Sequence, residues 1–207
     1  MSSECSFDFA KIDSLAERIL ARAKPVRFGE TRSEAELTAA LRLRCQVAIE
    51  QGWARGEDFS KGLESDAYDD RAVQIVGWDA SILAATARLV LPKSGRLQPT
   101  EEAFGIALND RIVDIGRICV ARAYRSMPPW VFLGLLGQSW LSMRARGFTD
   151  ACGVMSASVA RVYQSWGLKV IALAPPREYW GETRFPALVL PVASMHEALR
   201  HALKRAS

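Results

Sequence analysis

The stretch RIVDIGRICVARAYRSMPPW, residues 111–130, decides how this chain is read. It runs as a β-strand to about Ala121 and reaches a turn at Tyr124-Arg125. Many nucleotide-binding turns continue with glycines. Here the next residues are Ser126, Met127, Pro128, Pro129 and Trp130. The two prolines have no N–H to offer a phosphate, and Trp130 would obstruct its approach. Side chains alternate along a strand, so Asp110 and Asp114 share one face and Arg117 falls on the other. Gly116 lies between them, and a glycine inside a strand often marks a bulge. A bulge there would bring Arg117 round towards Asp114. It would also leave a ladder N–H near residues 118–120 unpaired and free to meet a ligand carbonyl.

Outward from this strand, helices and strands alternate. Residues 9–23 and 33–52 have helical spacing; the second begins with the capping pattern Ser33/Glu36 and ends at Gly52. A charged stretch, 54–71, reads as a long loop. Residues 72–78 and 81–92 read as two strands joined at Asp79-Ala80, and 93–109 as a loop with at most one helical turn. After the strand at 111–121, residues 128–147 form a mostly buried helix. A strand follows at 149–155, then a helix capped by Ser156 and ended by Gly167. Strands at 168–174 and 185–192 and an amphipathic helix at 193–207 complete the chain. This order predicts an α/β fold with a mixed central sheet flanked by helices.

A length of 207 residues with 49% apolar content suits one domain, 1–207, with residues 1–32 as N-terminal helix and lead-in. No apolar run approaches the roughly 18 residues of a membrane span. The start, MSSECSFDFAKIDS, lacks the layout of a secretory signal, so a cytoplasmic location is expected. The net charge of +4, without a basic block, argues against nucleic acid. Cys5, Cys45, Cys119 and Cys152 are far apart, and His196 and His201 both lie in the last dozen residues. Neither set suggests a metal site, a disulfide framework or histidine catalysis.

Three arginines stand where a core pattern would not ask for them: Arg44 in LRLRCQV, Arg88 in ATARLVL and Arg117 in IGRICV. An arginine flanked by apolar residues is costly unless paired. Partners are available in Glu64, Asp66, Asp69 and Asp70 of the charged loop, and in Asp110 and Asp114. The set forms either a structural ion-pair network or a polar pocket at one end of the sheet. Such a pocket would take a small zwitterionic or cationic substrate.

These motifs, in this order, resemble the GNAT acyltransferase superfamily, and more closely its acyl-homoserine-lactone (autoinducer) synthases. The resemblance rests on Arg44 with Gly52-Trp53, the acidic Glu64/Asp66/Asp69 loop, Thr86-x-Arg88-Leu89, Phe104 after the next loop, and Asp114-x-x-Arg117. It spans about residues 37–190. The family's glutamate and serine in the last motif are Asp114 and Gly116 here, and a usual phenylalanine is Ala48. The resemblance implies a GNAT-like sheet and no tightly bound cofactor or metal. The substrates would be S-adenosylmethionine (SAM) and an acyl thioester carried by acyl carrier protein or coenzyme A. Carrier protein is the donor favoured by the turn lacking phosphate donors, and Arg122, Arg125, Arg144, Arg146 and Lys169 could offer it a basic face.

On this reading Arg44, Trp53, Asp66 and Asp69 shape the acceptor pocket, with Phe104 beside it. N–H groups near Cys119 and Val120 polarise the thioester carbonyl. Asp110 or Asp114 takes the amine proton, Asp110 being favoured because Asp114 is expected in the network of Arg88 and Arg117. Trp130, Phe132, Met143 and Met155 line an acyl tunnel. Cys119 as nucleophile is disfavoured, since no histidine is near it in sequence. N-acylation of another amine, or a non-catalytic module that binds an acyl carrier, are the alternatives.

Overall fold

The computed structural model describes residues 9–125, 129–165 and 168–190. The expectations placed on Cys5, on Ser126–Pro128, on Gly167 and on the C-terminal helix with His196 and His201 lie outside these residues. Two helices open the fold. α1 (Phe9–Arg22) buries Ile12, Leu15, Ala16 and Ile19 on one face, and α2 (Glu34–Glu50) follows the short strand β1 (Arg27–Glu30). Ser33 caps α2 by accepting the Glu36 N–H at 3.2 Å. The Glu36 carboxylate reaches back to the Arg32 N–H, one residue before the cap. The strand β1 is too short, at RFGE, to show alternation, which hid it from the sequence.

The charged stretch is not a plain loop. Three single 3-10 turns, Gly56–Asp58, Ser60–Gly62 and Asp69–Arg71, shape it; Glu64, Asp66 and Asp69 turn inward, while Glu57, Asp58 and Asp70 stay exposed. Then come β2 (Ala72–Asp79), β3 (Ile82–Val90), α3 (Pro99–Phe104), β4 (Ile112–Val120), α4 (Trp130–Arg144), β5 (Asp150–Met155) and α5 (Ala157–Ser165). β6 (Lys169–Ala172) precedes a hairpin of β7 (Arg177–Tyr179) and β8 (Glu182–Leu190), whose first arm the sequence did not reveal. The sheet order is β1-β2-β3-β4-β5-β8-β6, with β7 paired to β8. Only the β4–β5 pair is parallel among the described strands; the others are antiparallel. The fold is thus the mixed α/β arrangement with flanking helices that the sequence predicts.

Two features of β4 position the site. First, Gly116 pairs with Arg88 but Cys119 pairs with Thr86, so Arg117 and Ile118 together face Ala87. This is the predicted bulge, displaced by one residue: Arg117, not Gly116, takes the left-handed conformation, at φ 52°. Ile115, Ile118 and Val120 pack with the Val113, Leu135 and Met143 cluster, and Cys119 packs with Leu43 and Val47 of α2 on the other face. The step from Ile115 to Ile118 is three residues, so the bulge restores Arg117 to the face of Asp114. Second, β4 pairs with β5 only from Ile112↔Asp150 to Asp114↔Cys152. Beyond Asp114 the two strands part, and residues 115–120 of β4 have no strand partner on that side.

Candidate active site

The parted strands open onto a cavity of about 320 Å³. One end is polar, with Arg44, Glu64, Arg88 and Arg117 in its wall; the other runs between β5, α1, α4 and α5 past Leu15, Phe132, Met143, Met155 and Tyr163.

The polar end is built from α2, the acidic turns, β3 and β4. Arg44 donates from Nε to Glu64 and from Nη1 to Asp69 at 2.7 Å. Arg88 donates from Nη1 to Asp66 at 2.6 Å and to Asp69 at 3.1 Å. Arg117 donates from Nε to Glu64 at 2.9 Å and from Nη2 to Asp66 at 3.2 Å. The result is a closed cycle in which three guanidiniums alternate with three carboxylates. Each guanidinium bridges two acids, and each acid bridges two guanidiniums. Arg44 and Arg88 are each only 1% exposed, so the mutual pairing offsets a large desolvation cost. Burial alone would raise the Asp69 carboxyl. The hydrogen bonds from Arg44 and the charges of Arg44 and Arg88 outweigh burial and hold it at about 2. Burial likewise favours a neutral Arg44, but Asp69 and Glu64 keep it charged.

Asp114 stands outside this cycle, contrary to the expectation that the network would claim it. Its Oδ2 accepts the Thr100 N–H at 2.7 Å at the start of α3, and its own N–H donates to Gln98 Oε1 at 3.0 Å. It is 3% exposed and lines the cavity, and burial raises its carboxyl above the ordinary range. Asp110, favoured from the sequence as the base, is exposed in the turn before β4 and is not in the cavity wall. The Asn109-Asp110 pair is a turn, held by Arg111 N–H on Asn109 Oδ1 at 2.9 Å.

The remaining residues divide. Trp53 and Cys119 line the cavity, as do Phe132, Met143 and Met155. Burial pushes the Cys119 thiol up to about 12, so no thiolate nucleophile forms there near neutrality. Asp66 and Asp69 reach the cavity only through the guanidiniums they hold. The Val120 side chain faces the core, and its carbonyl takes the Arg125 Nε–H at 2.7 Å. Phe104 lies outside the wall, 5.6 Å from the Tyr179 ring and beneath Arg177. Trp130 is also outside it, with Arg22 over its ring.

The five basic residues are spread rather than clustered. Arg122 and Arg125 precede α4, whereas Arg144 and Arg146 lie at its far end, about 20 Å away along the axis. Arg125 pairs with Glu50, Arg144 with Asp13 and Arg146 with Glu30, while Lys169 is exposed on β6.

The β7–β8 hairpin adds residues that the motif order did not include. Trp180, Glu182 and Arg184 all line the polar end. Glu182 accepts the Trp53 Nε1–H at 2.7 Å, Arg184 lies 4.4 Å from the centre of the Trp53 ring, and Arg117 lies 4.4 Å from that of Trp180. Gly181 is the one turn residue between Tyr179 and Glu182, and with tryptophan before it in place of asparagine or aspartate the hairpin had no clear signal in the sequence.

Residues 43–133 match the family model described as an acetyltransferase (GNAT) domain. No curated protein matches the chain. Solved structures do. A CoA-dependent acyl-homoserine lactone synthase, BjaI, with SAM and isopentyl-CoA has a TM-score of 0.65 at 20% identity over 83% of each chain. The AHL synthase LasI gives 0.68 at 16% identity, covering 85% of this chain and 94% of that one. FeeM, an N-acyl amino acid synthase from uncultured soil microbes, gives 0.61 at 14% identity, with 80% and 90% covered. The chain therefore has the GNAT acyltransferase fold, which it shares with these acyl-homoserine lactone synthases and with FeeM.

Proposed function

We propose that this protein is an N-acyltransferase that moves an acyl group from a thioester to the amine of SAM, yielding an acyl-homoserine lactone. The carrying observation is the single cavity that joins the arginine–carboxylate cycle to an apolar chamber through the gap between β4 and β5. The polar end suits a charged amino-acid head group, the apolar end an acyl chain, and the gap a thioester carbonyl beside unpaired backbone. That BjaI, of the same fold, is known with SAM and isopentyl-CoA supports this assignment.

In the first step the amine nitrogen attacks the carbonyl carbon, the C–S bond breaks, and the thiol leaves. Asp114 is the proposed proton acceptor. It lines the cavity where the strands part, and its raised carboxyl is better matched to deprotonating an amine than an ordinary aspartate. In the second step the carboxylate oxygen of the acylated amino acid displaces the sulfonium, closing the lactone and releasing methylthioadenosine. We propose that the cycle of Arg44, Arg88 and Arg117 with Glu64, Asp66 and Asp69 holds the acceptor end of the pocket rigid, with Trp53 and Arg117 facing the ligand. The whole is proposed to act as one catalytic unit.

We propose acyl carrier protein as donor, because Pro129, the residue capping α4, has no N–H for a diphosphate. Coenzyme A is the second reading, favoured by the CoA dependence of BjaI. The test is incubation of purified protein with SAM and matched acyl-carrier and acyl-CoA thioesters. Release of methylthioadenosine with an acylated lactone supports the proposal, and the better thioester identifies the donor. An acylated amine other than SAM, without methylthioadenosine, would move the assignment to N-acyl amino acid synthesis.

A further inference from the structure

We infer that Trp180, at the tip of the β7–β8 hairpin, is a direct contact for the amine acceptor and is held in a strained backbone conformation for that purpose. The inference rests on the acceptor site proposed above. Tyr179 pairs with Glu182, so the loop is only Trp180 and Gly181, and both have positive φ, at 53° and 66°. A two-residue turn of this kind favours Asn-Gly, because asparagine tolerates the left-handed region and a bulky aromatic does not. The sequence nevertheless places tryptophan there.

What the strain achieves is visible in the neighbours. The Trp180 ring lies 4.4 Å from the guanidinium of Arg117, which is itself in the left-handed conformation, at φ 52°. Two non-glycine residues of unfavourable backbone thus meet at the polar end of the cavity, and both line it. Such outliers persist where the surroundings over-determine them, and they concentrate at ligand clamps. The hairpin is fixed to the pocket at a second point, through Glu182 on the Trp53 indole and Arg184 over its face. Two tryptophans, each with an arginine on its ring, therefore form aromatic walls at the acceptor end. Such walls suit an acceptor that carries a planar base to stack on them, as the adenosyl group of SAM does.

The decisive variant is Trp180→Asn. It installs the preferred turn pair, so the hairpin should be at least as stable, and thermal unfolding should show a melting temperature equal to or above that of the wild type. At the same time the KM for SAM should rise about tenfold or more, with the KM for the acyl thioester unchanged. Trp180→Phe, which keeps an aromatic face, should recover most of the loss. Calorimetric titration with SAM alone gives the same comparison without turnover. A Trp180→Asn protein that binds SAM as the wild type does would overturn the inference and leave the proposed function intact. A wild type that neither binds nor acylates SAM would remove both.

Discussion

Asp114 and Asp69 are two buried aspartates on one site, and their surroundings drive them apart. Asp69 hydrogen-bonds two guanidiniums and stays ionised; Asp114 is buried more deeply, and burial outweighs Thr100 and the charges of Arg88 and Arg117 and raises it. The division separates a structural carboxylate from one able to exchange a proton. Asp114→Asn should keep the Thr100 N–H bond, since an amide oxygen also accepts. It should lose about 10²–10⁴ in kcat. The acid limb of the wild-type pH–rate profile should lie above the ordinary carboxylate value of 3.8 and should vanish in the variant. Because a raised carboxyl disfavours folding where it is charged, the asparagine variant should be no less stable than the wild type at neutral pH. Arg88→Ala, by contrast, strips Asp66 and Asp69 of a shared guanidinium. Denaturant unfolding should report a loss of about 3–5 kcal/mol, and protein that remains folded should release no methylthioadenosine.

At the level of elements, the site depends on where β4 and β5 separate. Gly153 on β5 sits against the carbonyl of Ile115, where a Cβ would come within 2.5 Å of the oxygen. Backbone cannot yield there as a flexible side chain could. Gly153→Ala should therefore widen the gap, costing about 1–3 kcal/mol in a thermal or denaturant melt and raising the KM for the thioester more than that for SAM. Legibility in the sequence was uneven at this scale. The glycine in DIGRICV announced a bulge in β4, but which residue would be the extra one depends on the register against β3. Helix α4 was plain from its apolar density. The expected basic residues around it are spread along its length, because the two ends of a 15-residue helix lie about 20 Å apart.

Across the whole molecule, buried charge couples stability to pH and to ligand. A carboxyl held at about 2 contributes stability above its ordinary value of 3.8 and loses it as pH falls towards 2. Urea midpoints measured through that window should fall for the wild type, and the slope should flatten in Asp69→Asn. Since Arg44, Arg88 and Glu64 are buried and Arg117 and Asp66 only partly exposed, moderate salt should change the neutral-pH midpoint little. If SAM binds the folded state alone, adding it at about 100 times its Kd should raise stability by about 2.7 kcal/mol, visible as a shift in the melting temperature.

The sequence by itself determined the alternation of helices and strands, the kinked strand, and the inventory of arginines and acids that a buried site would need. These are local: periodicity, caps and glycines act over a few residues. It also suggested, through motif order, the kind of fold to which they belong. Only the tertiary structure decided which acid each arginine meets, that Asp114 stands outside their cycle, that Asp110 is outside the cavity, and that Trp180 reaches across from the far hairpin. Those pairings join residues tens of positions apart. They are selected by strand register and by the cost of burying charge unpaired, and neither quantity exists until the sheet has formed.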